Sequence, residues 1–161
     1  MAKETRIGIV GCGDGAHGKV WAELLSDKKG KKYGLKVARV WDSDPKAAEA
    51  LAEKIGAEAV KDFQSAGEDV DGIMITELFP HRYLELARPF LQKGCKVFIN
   101  RPFAADLRDA REILRLASKN GAKIYSASAL YHTQAAEKAR EQLASLGPVK
   151  LFTMTGPTDH L

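Results

Sequence analysis

The segment that decides the fold lies at residues 5–16 and reads Thr-Arg-Ile-Gly-Ile-Val-Gly-Cys-Gly-Asp-Gly-Ala. Its first half is rich in apolar and β-branched side chains without strict alternation, which is typical of a strand buried on both faces. Gly11, Gly13 and Ala16 then match the spacing G-x-G-x-x-G/A. The glycines of this pattern permit a tight turn and a close approach to the backbone, and the small third residue lets a helix pack against the strand. We predict that helix over Ala16–Ser26. A match placed between a strand and a helix favours the binding of a dinucleotide pyrophosphate over a purely structural turn.

Strand-like and helix-like segments alternate along the rest of the chain. Further strands are predicted at Leu35–Trp41, Ala57–Val60, Asp71–Thr76, Lys96–Ile99 and Lys123–Ala127. Helices are predicted over 45–55, Pro80–Lys93, 107–120 and Tyr131–Leu146. This alternation predicts a doubly wound, mostly parallel α/β sheet of the Rossmann type, with helices on both faces.

Two of the predicted helices carry apolar residues at helical spacing, which we expect to face the sheet. In the first helix these residues are Val20, Trp21 and Leu24. In the helix over 107–120 they are Leu107, Ala110, Ile113, Leu114 and Ala117.

The end of the chain predicts a second domain. A strand is predicted at Val149–Thr155, directly after Gly147-Pro148, and no helix follows it. We therefore expect residues 1–148 to form a dinucleotide-binding Rossmann domain. Residues 149–161 are expected to be the start of a truncated C-terminal α/β domain.

The composition is that of an ordinary globular protein. The chain has 161 residues, of which 45% are hydrophobic and 29% charged, so intrinsic disorder and low-complexity character are excluded. No apolar run approaches the length of a membrane span, and the first strand begins too early for a signal peptide. We therefore expect a cytoplasmic protein with no membrane partner. Cys12 and Cys95 are predicted at opposite ends of the sheet, which indicates reduced thiols and no metal site.

The small basic excess, a net charge of +4, is most concentrated at residues 28–36, which contain five lysines. Only Tyr33 offers an aromatic ring there for stacking on a base. The pattern therefore favours a solvated loop over a nucleic-acid interface.

An acidic residue, Asp42, follows the second predicted strand. A carboxylate at this place can accept hydrogen bonds from the adenosine ribose hydroxyls and repels a 2′-phosphate, so it favours NAD over NADP. The alternative is that Asp42 caps the next helix, although Ser43 and Asp44 already offer capping side chains.

A longer set of motifs resembles one known family. Ile75-Thr76 is followed by His81, and residues 91–104 read Leu-Gln-Lys-Gly-Cys-Lys-Val-Phe-Ile-Asn-Arg-Pro-Phe-Ala. That run resembles the segment L-x-x-G-K-H-V-x-x-E-K-P-x-A of the family named for glucose–fructose oxidoreductase, inositol dehydrogenase and a rhizopine catabolism protein (Gfo/Idh/MocA). The resemblance covers the N-terminal half of that family, from about Arg6 to Leu161.

The resemblance implies an NAD(P)-dependent oxidoreductase that acts on a sugar, polyol or related small molecule, with homo-oligomers formed through the second domain. It implies that Asp42 holds the adenosine ribose and that the nicotinamide half lies beside Thr76 and His81. The residues implied to hold the pyrophosphate are those of the turn: Gly11, Cys12, Gly13, Asp14, Gly15 and Ala16. Asn100 and Pro102 are also expected to contact the cofactor.

The chain departs from the family pattern within these motifs. Asn100-Arg101-Pro102 stands where the family has Glu-Lys-Pro, and Glu77 stands where it commonly has Pro. Arg101 is the candidate catalytic residue, but a guanidinium stays protonated and is a poor proton shuttle; a surface ion pair is the alternative. A non-catalytic NAD-binding module is therefore a second hypothesis. His17 can either approach the phosphates or simply begin a helix.

Overall fold

The computed structural model describes residues 4–148, 150, 151 and 153. The chain divides into two compact units, Met1–Ala127 and Ser128–Leu161. The first unit contains the sheet and the glycine-rich turn, and the second contains the last helix.

The first unit is built on a six-stranded, fully parallel sheet, as the alternation of strands and helices predicts. The strands are β1 (Thr5–Val10), β2 (Leu35–Trp41), β3 (Glu58–Ala59), β4 (Gly72–Ile75), β5 (Lys96–Ile99) and β6 (Lys123–Tyr125). They are ordered β3-β2-β1-β4-β5-β6, so the chain runs outward in one direction from β1 and then in the other. This order is that of a Rossmann fold.

Five helices connect the strands of this unit. They are α1 (Gly18–Ser26), α2 (Lys28–Lys32), α3 (Pro45–Ile55), α4 (Tyr83–Gln92) and α5 (Leu107–Asn120). Short 3₁₀ turns lie at Ser65–Gly67 and Pro80–Arg82. Helix α3 is capped at its start by Asp44, whose side chain accepts from the Lys46 N–H, and at its end by Gly56 in the left-handed conformation.

Two sequence expectations about helices need correction. Helix α1 begins at Gly18 and not at Ala16, because residues 14–17 form a longer turn than the motif assumes. The basic cluster is not wholly a loop, since α2 forms within it.

The core has two parts, one on each face of the sheet. Val10, Ile75 and Ile99 pack with α4 and α5, while Ile9 and Val40 pack with α1 and α3. Ile9 and Val10 are neighbours in sequence and both are fully buried, because successive side chains of a strand point to opposite faces. The first strand is therefore buried on both faces, as its composition indicates.

The predicted apolar stripes are partly wrong. In α5, Ile113 and Ala117 are buried as expected, but Leu107 and Leu114 are 64% and 56% exposed, and the unpredicted Leu116 is buried. In α1 the buried apolar residue is Ala22; Trp21 is half-buried, and Val20 and Leu24 are exposed.

The second unit contains a 3₁₀ turn at Ala129–His132 and the helix α6 (Gln134–Ser145). The Thr133 hydroxyl accepts from the Ala136 N–H at the start of α6. The Arg140 guanidinium lies 4.7 Å from the centre of the Tyr131 ring. The predicted strand at Val149–Thr155 lies outside the described residues, apart from Lys150, Leu151 and Thr153.

No helix among the described residues combines the length and the apolar character that a membrane crossing requires. Cys12 and Cys95 are both free thiols, as expected, but only Cys12 is buried.

Candidate functional site

The predicted site residues of the first unit follow the carboxyl ends of neighbouring parallel strands. The glycine-rich turn follows β1, Asp42 follows β2, Thr76 follows β4 and Asn100 follows β5. Strand β1 lies between β2 and β4, which is where the strand order reverses. In open α/β sheets a crevice forms at this place, and ligands bind there.

Gly11 is required by two features of the turn. Its φ is +92°, and a Cβ atom there would overlap the backbone N and Cα of Glu77. The Thr76 hydroxyl donates to the Gly11 carbonyl oxygen over 2.6 Å and is fully buried. The Thr76 side chain therefore stabilises the turn through this buried hydrogen bond.

Gly18 lets helix α1 pack closely on the strand ends, a role that the sequence pattern assigns to Ala16. A Cβ atom on Gly18 would overlap the Gly11 carbonyl oxygen and lie 2.5 Å from the Thr76 hydroxyl. Ala16 instead lies within the turn, where its N–H donates to the Gly13 carbonyl oxygen over 3.1 Å. The spacing Gly11-x-Gly13-x-x-x-x-Gly18 is the signal that could have identified this residue.

Asp42 fixes the first part of the turn. Its carboxylate is only 7% exposed, and its Oδ2 accepts from the N–H groups of Cys12 and Gly13 over 2.7 and 2.6 Å. Its Oδ1 accepts from the Asp44 N–H over 2.9 Å. A Cβ atom on Gly13 would lie 2.9 Å from that Oδ1, so glycine is needed for the carboxylate to come this close. Helix capping falls to Asp44, and Asp42 connects β2 to the turn.

The next part of the turn keeps its backbone donors free. No hydrogen bond within the described part of the chain uses the N–H of Asp14 or Gly15. Both residues are exposed, and α1 begins shortly after them. Unpaired N–H groups beside a helix N-terminus form a favourable environment for an anion.

Cys12 forms part of the floor of the turn. Burial, followed by the charges of Asp42 and Glu77, raises the pKa of its thiol to about 12. The thiol is therefore neutral at physiological pH, and a neutral buried thiol is neither a nucleophile nor a metal ligand.

Glu77 and Tyr83 lie beside the turn, and sequence reasoning gave them no role in the site. The Tyr83 hydroxyl donates to the Glu77 carbonyl oxygen over 2.8 Å. Burial raises the pKa of this phenol, and the Glu77 charge raises it further, while the hydrogen bond with Asn100 and the charge of Arg101 lower it. Glu77, Asn100 and Arg101 thus all lie close enough to Tyr83 to influence its pKa.

His17 connects the start of α1 to the end of β5. The Asn100 side-chain amide nitrogen, Nδ2, donates to its Nδ1 over 2.7 Å. Asn100 is buried, whereas Arg101 and Pro102 are exposed. This bridge brings together two predicted site segments.

His81 has no hydrogen bond or ring contact with the other predicted site residues in the described part of the chain. It is exposed, and its ring lies 5.7 Å from that of Phe79. Within the described ranges, no group of three or more His, Cys, Asp or Glu side chains is arranged to hold a metal ion.

Comparison with protein families gives one match. Residues 5–128 match the family model GFO_IDH_MocA, described as an oxidoreductase family with an NAD-binding Rossmann fold. No curated protein matches the chain.

Solved structures with the same fold include an NAD-binding protein from Listeria innocua, with 23% identity and a TM-score of 0.73 over 89% of this chain and 41% of that one. A UDP-N-acetylglucosamine 3-dehydrogenase from Acidithiobacillus ferrooxidans has 19% identity and a TM-score of 0.74, covering 85% of this chain and 41% of the other. Biliverdin reductase from Synechocystis sp. PCC 6803, in complex with biliverdin and NADP+, has 19% identity and a TM-score of 0.73. That match covers 91% of this chain and 45% of the other. The chain thus spans less than half the length of these structures.

Proposed function

Because this chain belongs to the Gfo/Idh/MocA oxidoreductase family, with its NAD-binding Rossmann fold, we propose that it binds NAD for an oxidoreductase acting on a sugar, polyol or related hydroxylated molecule. The observation that carries this proposal is the turn itself. Within the described residues, it leaves the N–H groups of Asp14 and Gly15 without a partner shortly before helix α1, and the fixed Asp42 carboxylate lies beside the same turn.

The pyrophosphate is assigned to the N–H groups of Asp14 and Gly15. Asp42 already accepts from the N–H groups of Cys12 and Gly13, so these two amides are not available to a phosphate. The partial positive charge at the start of α1 adds to the attraction. The exposed Asp14 carboxylate can turn towards water and avoid the phosphates.

Asp42 is assigned to the adenosine ribose and to the preference for NAD. A carboxylate has about four acceptor positions, and three strong N–H donors occupy Asp42. The Ser43 hydroxyl is a weak fourth partner at 3.5 Å, which a ribose hydroxyl can replace. A 2′-phosphate at this place would meet a buried negative charge, and NADP is therefore disfavoured.

The nicotinamide half is assigned to the ends of β4 and β5, on the opposite side of β1 from Asp42. When bound, NAD supplies the hydride acceptor of the reaction. Asn100, Pro102 and His81 are the proposed cofactor contacts on this side. Arg101 is proposed to orient a substrate hydroxyl or carboxylate, because its guanidinium donates hydrogen bonds but does not accept a proton at neutral pH.

Calorimetric titration with NAD and NADP tests the proposal, with Asp42→Asn as the variant and Asp44→Asn as the control. NAD is expected to bind the unchanged chain more tightly than NADP. Asp42→Asn is expected to weaken NAD binding about tenfold, since it removes a charged hydrogen-bond acceptor. It should also reduce the ratio between the affinities for NAD and NADP. Asp44→Asn keeps a good helix cap and should leave both affinities unchanged. Equal NAD affinity in Asp42→Asn and the unchanged chain would refute the ribose assignment.

A non-catalytic NAD-binding module is the second candidate, and Arg101 is the feature that favours it. Arg101→Lys in the full-length protein separates the two functions. If Arg101→Lys turns over a polyol faster than the unchanged protein does, the protein is an enzyme and Arg101 limits its rate. No turnover in either form, together with intact NAD binding, would favour the module.

A further inference from the structure

Glu77 is a buried acidic residue to which the proposed binding of NAD at the turn assigns no role. Its side chain is 7% exposed, and its Oε2 lies 3.2 Å from Nη1 of Arg82, whose side chain is 25% exposed. Its Oε1 accepts from the N–H of Leu78 over 2.8 Å. The carboxylate thus connects both ends of the segment Leu78–Arg82.

This segment lies against the glycine-rich turn. The side chain of Leu78 comes within 3.4 Å of the place where a Cβ atom of Gly15 would be. The backbone of Glu77 packs on Gly11, and its carbonyl oxygen is held by Tyr83. The position of the segment relative to the turn is therefore determined through Glu77.

The same segment carries two apolar side chains into solvent. Leu78 and Phe79 are 46% and 52% exposed, although they follow a buried strand at the ligand-binding edge of the sheet. Exposed apolar side chains that line a cleft are typical of ligand sites, which combine apolar walls with a few polar groups.

We propose that Glu77, through its ion pair with Arg82, is a positioning residue that holds Leu78 and Phe79 as an apolar wall for the nicotinamide half of the dinucleotide. This inference rests on the proposed function. The wall lies after β4, on the side of β1 opposite Asp42, and therefore contacts the nicotinamide half and not the adenosine half.

The test compares the dissociation constants of NAD and ADP-ribose, since ADP-ribose lacks only the nicotinamide ring. Glu77→Gln keeps an acceptor for the Leu78 N–H but removes the charge that pairs with Arg82. The control is Glu85→Gln, which removes the exposed carboxylate that also lies near Arg82, at 3.8 Å. Phe79→Ala changes the wall directly at an exposed position and does not depend on how Glu77→Gln folds.

Glu77→Gln and Phe79→Ala are each expected to weaken NAD binding about tenfold while changing ADP-ribose binding less than about twofold. Both should also reduce the blue shift of NADH fluorescence that an apolar surface around the nicotinamide produces. Glu85→Gln should leave the affinities for both ligands unchanged.

A purely structural role for Glu77 predicts that both ligands weaken in parallel, and that result would overturn the inference, as would unchanged affinity for both. If the unchanged chain binds ADP-ribose but NAD no more tightly, the apolar wall is refuted and the turn assignment stands. If the unchanged chain binds neither ligand, the proposed function fails as well.

Discussion

Gly18 controls how closely helix α1 approaches the turn after β1. The contact surface consists of the Gly11 carbonyl oxygen and the Thr76 hydroxyl, and neither atom can move freely because the hydroxyl donates to that carbonyl. The distance between the helix N-terminus and the proposed pyrophosphate site thus depends on a glycine that lies outside the usual motif spacing.

Gly18→Ala is expected to destabilise the fold by about 2–3 kcal/mol, because the added methyl group overlaps rigid backbone. The matched control is Gly72→Ala, whose added Cβ would meet its nearest neighbour at 3.5 Å, an ordinary contact. The control should change the free energy of unfolding by less than about 1 kcal/mol. Urea denaturation measures both, and equal effects of the two variants would contradict the close packing at Gly18.

Cys12 is expected to make stability fall at high pH. The pKa of its thiol is about 12 in the folded protein, against 9.0 for an unperturbed cysteine thiol, so above pH 9.0 only the unfolded chain releases this proton. The free energy of unfolding should therefore decrease by up to about 1.4 kcal/mol per pH unit between these two values. Cys12→Ala should remove this contribution, and the comparison of denaturation at about pH 8 and about pH 10 measures it. An identical pH dependence in Cys12→Ala would show that the thiol does not remain neutral.

At the level of elements, the strands were predictable and the buried faces of the helices were not. Segments rich in apolar and β-branched side chains identify β1, β2, β4 and β5. In α5, however, the apolar residues form two overlapping stripes, one containing Leu114 and one containing Leu116. The sheet decides between the two stripes, and its surface is assembled from residues distant in sequence.

Leu116→Ala is expected to cost about 2–5 kcal/mol, because it leaves a cavity among residues that pack α5 on the sheet. Leu114→Ala in the same helix should change the free energy of unfolding by less than about 0.5 kcal/mol, since Leu114 is exposed. Both values come from chemical denaturation. A larger loss of unfolding free energy for Leu114→Ala than for Leu116→Ala would mean that α5 packs on the sheet with the face that contains Leu114.

For the whole molecule, the strand order brings the site together, and the alternation of strands and helices was enough to predict the type of sheet. The sequence also identified most of the residues at the carboxyl edge. It could not reveal that Asp42 accepts from the Cys12 and Gly13 amides or that Glu77 packs on Gly11. These contacts join residues on different strands, and no local pattern encodes them.

Backbone amide NMR shifts during an NAD titration test most directly whether the turn holds the dinucleotide. The largest shifts are expected at Asp14 and Gly15, whose N–H groups have no partner elsewhere in the described part of the chain. Cys12 and Gly13 should shift less, because their N–H groups remain bonded to Asp42. Saturable binding with this pattern is the predicted result. An absence of binding, or the largest shifts at a surface remote from the turn, would contradict the proposed cofactor site.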